Sequence, residues 1–163
     1  MRTFWHRYIF LLFGLIVLNG CAEDTKRKVE TAAISFTKEG ELSLYKANSD
    51  SLISQYNIEI AESDYETQTG LMYRDSMKEN EAMLFVFSDL AYHSFYMKNT
   101  KIPLDILFID ENLKIVSLKE NAQPFDETGI SSEFPVQYVL EINAGQCKLH
   151  NISVGDRIIY TQL

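Results

Sequence analysis

Residues Leu104–Asp110, LDILFID, constrain the fold more than any other stretch of the chain. Nearly every position is apolar, so the segment reads as a strand covered on both faces and not as one with a wet side. The residues leading into it are opposite in character. Lys98, Asn99, Thr100 and Lys101 gather against Pro103 and make a polar corner at the entrance to the most buried element. Asp105 stands at the mouth of the strand, on the same face as Leu107 and Ile109 by period-two alternation. A carboxylate there has to find partners, because an unpaired buried charge costs several kcal/mol.

A chain of 163 residues has room for one domain with a real core and is too short for two comfortable ones. Part of that length reads as an address. Arg2, His6 and Arg7 form a basic n-region, and Tyr8–Leu18 is an apolar run. The run falls short of the roughly 20 residues that a transmembrane helix needs, so residues 1–20 read as a signal peptide. Leu18-Asn19-Gly20-Cys21 resembles the lipobox of bacterial lipoproteins. That resemblance implies cleavage after Gly20, a lipid thioether on Cys21, and a protein anchored to a bacterial membrane in the cell envelope, outside the cytoplasm. Fifteen basic residues less Arg2 and Arg7 leave 13 against 23 acidic ones, a net charge of −10. So acidic a protein is a poor partner for nucleic acid or anionic lipid surfaces, which need basic patches. Its membrane attachment is then covalent and not electrostatic.

With Cys21 lipidated, Cys147 is the remaining cysteine and no intramolecular disulfide is possible. His6, His93 and His150 are scattered, and no CxxC, HxxxH or HExxH spacing occurs. No metal site and no cofactor are expected. Residues 21–32 are polar and mixed in charge and read as a flexible tether, with one domain over 33–163.

Within that domain, Ile34–Thr37 and Leu42–Lys46 flank Glu39-Gly40 as a plausible hairpin. Tyr56–Ala61 reads as a strand with Tyr56, Ile58 and Ile60 on one face. Ser63-Asp64-Tyr65-Glu66 is a capping box, predicting a helix from Ser63 to about Tyr73 with Tyr65, Thr69 and Met72 on its packed side. Gly70 inside it is expected to allow close approach to a neighbouring strand. Met83–Phe87, Tyr92–Met97, Lys114–Lys119, Tyr138–Asn143 and Arg157–Gln162 read as further strands, and Ala144–Asn151 as a short helical turn. Asn121–Pro135 is the longest irregular stretch, a length often tied to function. The expected fold is mostly β: a compact single-domain barrel or sandwich with one main helix and a short helical turn.

Five segments occur together in order: GLMYR at Gly70–Arg74, MLFVF at Met83–Phe87, FYMKNTKIPLDILFID at Phe95–Asp110, YVLEINAG at Tyr138–Gly145 and VGDRI at Val154–Ile158. Together they resemble the DUF192 family (domain of unknown function 192), a small prokaryotic domain that is often exported or lipid-anchored. The resemblance covers about residues 56–163. Tyr96 stands where the family usually has tryptophan, keeping an aromatic ring and adding a hydroxyl. The resemblance implies a compact, mostly-β domain and no established activity.

Arg74, Asn99, Asp105 and Glu141 are polar groups next to strongly apolar segments, accompanied by Lys98 and Thr100. Each has a plain structural reading. Arg74 meets the C-terminal dipole of the predicted helix; Asn99 and Thr100 close a turn; Asp105 caps the corner with backbone amides. Glu141, between the core-facing Leu140 and Ile142, points to water. Taken together, Arg74, Tyr96, Lys98, Asn99, Asp105 and Glu141 are what a pocket for a small polar or carbohydrate-like ligand needs, a few fixed hydrogen-bonding groups among apolar walls. A non-catalytic binding module is therefore the leading expectation. Two others stand beside it. Asp105 and Glu141 as a carboxylate pair would make a hydrolase. An ion pair from Arg74 to Asp105 or Glu141 would make a structural or partner-binding module. Cys147 and both domain histidines read as packing or surface residues.

Overall fold

The computed structural model describes residues 34–163; the stretch expected to be a signal peptide, Cys21 and the stretch expected to be a tether lie outside the described residues. The strands are β1 (Gly40–Tyr45), β2 (Leu52–Ala61), β3 (Glu81–Ala91), β4 (Ser94–Phe95), β5 (Leu104–Ile109), β6 (Ile115–Ala122), β7 (Ile130–Ser131), β8 (Val136–Asn143) and β9 (Arg157–Gln162). Two short helices, α1 (Asp64–Thr69) and α2 (Gln146–His150), complete the mostly-β domain that the strand spacing predicts.

Seven strands form one sheet in the order β6-β5-β8-β3-β2-β1-β9, curled into a half-barrel, and β4 pairs with β7 as a separate ribbon. The β2–β3 pair is parallel, which requires a crossover, and α1 lies in that crossover. At one end the two edge strands meet. Lys114 bridges to Arg157, and the Ile115 N–H donates to the Asp156 carbonyl at 2.9 Å. Asp156 fastens this end: its carboxylate takes Lys46 Nζ at 2.9 Å and the amides of Ala47 at 3.0 Å and Ser153 at 2.9 Å.

All six residues of β5 are buried, as its apolar run requires. Alternation sends Leu107 and Ile109 to the concave interior with Leu42, Leu44, Ile58, Leu84 and Leu140. Ile106 and Phe108 go to the convex face with Met83, Phe85 and Val139, where Leu71, Met97 and Ile102 cover them. The sheet is thus a core element twice over. Ile106→Ala is expected to cost about 2–5 kcal/mol, the range for a fully buried aliphatic truncation, in a chemical denaturation midpoint. A loss near zero would mean that the convex layer does not hold the strand.

Several local expectations need correction. Ile34–Thr37 is not a strand, and Glu39-Gly40 is not a turn. Gly40 opens β1 instead and pairs with Ile58 on one side and Gln162 on the other, because β2 and β9 offer ladders of six pairs each. The helix at Ser63 has its capping box but stops at Thr69, since Gly70 takes a left-handed φ of 47°. Gly70 also makes the close approach expected of it: a Cβ there would lie 2.9 Å from Phe85 Cζ on β3. Tyr65 is 76% exposed and is not on a packed side. Tyr92–Met97 pairs only at Ser94–Phe95, and its partner β7 lies inside the stretch read as irregular, Asn121–Pro135.

Candidate functional site

One lateral row on the convex face organises the polar chemistry. Glu59 of β2 is in register with Met83 of β3, Met83 with Glu141 of β8, and Glu141 with Ile106 of β5. Glu59 and Glu141 therefore stand two strand spacings apart, roughly 9–10 Å. Gly70 and Met72, in the turn that follows α1, reach the cavities on both sides of this row.

Beyond Met83 on the β2 side, Arg74 pairs with Glu59, Nη1 to Oε2 at 2.5 Å, with both side chains about nine-tenths buried. The other carboxylate oxygen of Glu59 accepts the Thr37 N–H at 2.8 Å. Arg74 lies five residues past the helix end, so the predicted contact with a helix dipole is absent. Its partner is neither Asp105 nor Glu141 but Glu59, on the predicted strand Tyr56–Ala61, on the face opposite Tyr56, Ile58 and Ile60. The reason is topological: the parallel β2–β3 crossover carries Arg74 back over β2.

On the β8 side a cavity of about 310 Å³ opens among Phe85, Phe87, His93, Phe95, Tyr96 and Glu141. Glu141 is 5% exposed, and its Oε2 is buried with no hydrogen-bond partner. It does not point to bulk water, because the turn after α1 and the residues around β4 close over this part of the convex face. Burial alone pushes its carboxyl up to about 8, so it is protonated at neutral pH. The aromatic rings interlock. Phe95 meets Phe85 edge-on at 5.1 Å between centroids, and His93 stacks flat on Phe87 at 3.7 Å. Burial lowers the His93 pKa below its ordinary value, with Asp89 opposing, and its Nε2 is buried without a partner.

The six sequence-predicted site residues do not converge. Tyr96 and Glu141 line this cavity, as does Thr100. Asn99 sits beside it, its amide 3.8 Å from the Met72 sulfur, and its carbonyl accepts the Tyr73 N–H at 2.9 Å. Lys98 is half exposed and 3.9 Å from Glu127. Arg74 lines a neighbouring cavity with Glu59.

Asp105 is on the other side of the sheet altogether. It is fully buried and accepts the amides of Asn121 and Cys147, each at 2.8 Å. In the β5–β8 register Asp105 faces Ile142 while Glu141 faces Ile106, so the two carboxylates project from opposite faces. The hydrolase built on that pair is overturned, since no cleft can hold both across a sheet. Nor can Asp105 share a ligand with Tyr96 and Glu141.

Phe85 and Phe87 are site residues that the sequence does not mark, since they read as strand core; His93 belongs to the aromatic run with Tyr92, Phe95 and Tyr96, which suits stacking on a sugar ring but reads first as strand packing. The usable signal was Glu141 itself, a carboxylate in the middle of a strand whose neighbours on both faces are apolar.

A family model, DUF192, described as "Uncharacterized ACR", matches residues 45–160. No curated protein matches the chain. Among solved structures, a candidate transcription regulator from Sinorhizobium meliloti 1021 is 37% identical, over 78% of this chain and 96% of that one, with a TM-score of 0.73. A protein of unknown function from Novosphingobium aromaticivorans DSM 12444 is 30% identical, over 73% of this chain and 83% of that one, with a TM-score of 0.69.

Proposed function

From the premise that the chain belongs to the DUF192 family, we propose that it is a non-catalytic binding module held at the cell envelope by a lipid on Cys21, taking a small polar or carbohydrate-like ligand. The observation that carries this reading is Glu141, a carboxyl with an unpartnered oxygen at a cavity walled by aromatic rings. Natural folds satisfy nearly all buried polar groups, and one left over beside an opening is where a ligand supplies the missing bond. A cavity of about 310 Å³ is at the small end for ligand pockets. Tyr96, 43% exposed, stands at its mouth and offers both a stacking face and a hydroxyl.

The other polar clusters favour a structural role. Asp105 and Asp156 are occupied by partners inside the fold, and Arg74 and Glu59 neutralise each other's charge, although Arg74 Nε has no partner.

The test has two arms. Monosaccharides, amino sugars and small amines are titrated into the protein, with Tyr96→Ala beside it. Binding should weaken about tenfold or more in the variant, the loss of one aromatic contact of roughly 1.4 kcal/mol, with a melting temperature close to the parent's. Failure of every compound, or equal binding by Tyr96→Ala, rejects the pocket. In cells, Cys21→Ala should lose fatty-acid labelling and membrane association; a variant that keeps both rejects the anchor.

A further inference from the structure

We propose that the ligand of the Glu141 pocket is an organic cation, an ammonium or quaternary ammonium group that supplies the positive charge this carboxylate lacks. The inference rests on the pocket reading above and specifies its chemistry.

The charge inventory around Glu141 carries the argument. The end of α1 contributes Thr67, Gln68 and Thr69, and the turn after it Gly70, Leu71 and Met72, none of them ionisable in the working range. Strand β3 contributes Phe85 and Phe87, and β4 with its continuation contributes His93 and Tyr96. In-register neighbours of Glu141 are Met83 and Ile106. One strand further on each side stand Glu59, already engaged by Arg74, and the exposed Lys119. No lysine or arginine among the described residues lines the cavity. The titratable nitrogen that lines the cavity with it belongs to His93, and burial disfavours its charged form.

A carboxyl in such surroundings stays neutral because ionising it would leave a buried charge alone. An anionic ligand makes this worse, and a neutral one leaves it unchanged. A cationic ligand reverses it, since the ion pair forms where water is excluded and electrostatics are strong. The walls suit the same guest. Phe85, Phe87, Phe95 and Tyr96 line the cavity, and a quaternary ammonium group is attracted to the face of an aromatic ring through its quadrupole. Proton balance then follows: the cation enters, the Glu141 O–H ionises, and one proton leaves to solvent while no covalent bond between ligand and protein forms.

That released proton separates a cation from a sugar. Choline and its uncharged carbon isostere, 3,3-dimethylbutan-1-ol, are compared by isothermal titration calorimetry. Runs at several pH values, in buffers of different ionisation enthalpy, count protons. Choline is expected to bind with release of close to one proton below pH 8. Its affinity should rise about tenfold per pH unit up to that point and then level off, as linkage requires. The isostere should bind at least about tenfold more weakly and release none. Glu141→Gln should abolish the proton release and bring choline down to the isostere's affinity, and the proton count on the parent protein stands even if that variant folds poorly. Equal binding of choline and isostere, or cation binding without proton release, overturns the proposal. If choline fails while a neutral sugar binds in a Tyr96-dependent way, the cation is wrong and the pocket stands. If nothing binds, both fall.

Discussion

An Asp105→Ala variant is expected to lose about 3–5 kcal/mol of folding stability, two charge-assisted hydrogen bonds at roughly 1.5–3 kcal/mol each with little relaxation available. Asp105 is fully buried, and its two oxygens take amides from different parts of the chain, Asn121 at the end of β6 and Cys147 at the start of α2. Removing the carboxylate strands both N–H groups in the interior. Asn121 has a left-handed φ of 53°, so its amide has little freedom to turn elsewhere. Asp105→Asn should recover part of the loss, because one acceptor oxygen remains while the new amide opposes a backbone donor. Chemical denaturation of the two variants checks this. A loss below about 1 kcal/mol for the alanine variant would mean that water reaches the site and satisfies the amides.

Glu141 should behave in the opposite sense. Its carboxyl is raised from 4.5 to about 8 by burial, so between those values the folded state holds a proton that the unfolded chain has released. The unfolded state therefore binds fewer protons, and stability falls as pH rises. The contribution is fully present below pH 4.5 and is lost through the window up to about 8, at roughly 1.4 kcal/mol per unit. On the order of 3 kcal/mol is forgone by pH 7. In Glu141→Gln that slope should vanish, leaving the variant relatively more stable at pH 8 than at pH 5. Parallel denaturation series at a few pH values decide it. Identical slopes in the parent and variant would show that Glu141 ionises freely in the fold and is not the isolated group described above. A residue that weakens its own protein at neutral pH calls for a reason, and ligand binding is one.

The convex face explains why the candidate site was only partly legible in the sequence. Tyr96 and Glu141 stand out in the sequence as polar groups near apolar segments, and they do share a cavity. Asp105 carries the same local signature, yet lies on the opposite face. Alternation predicts such a split within one strand, but relating β5 to β8 requires the register between them. Asp105 opposing Ile142 is a tertiary fact. Arg74 shows the same gap differently: its partner Glu59 lies 15 residues back along the chain, and only the parallel crossover brings them to 2.5 Å.

What the sequence determined by itself was local or cumulative in origin. The apolar run at Leu104–Ile109 required a strand buried on both faces, because no amphipathic arrangement could shelter it, and all six residues are buried. The Ser63–Glu66 capping box started a helix, because both bonds form within four residues. Gly70 stood where a side chain would strike Phe85. The mostly-β class and the family followed from many short segments agreeing. The tertiary structure alone decided which edges pair, where β1 finds its partners, and which of two faces each carboxylate occupies. Strand pairing is non-local, and a shift of one residue in register sends every side chain to the other side of the sheet. Glu141 is buried and unpartnered because a second layer covers the convex face, and that layer is assembled from α1's trailing turn, β4 and the segment around Met97, brought together only when the chain has folded.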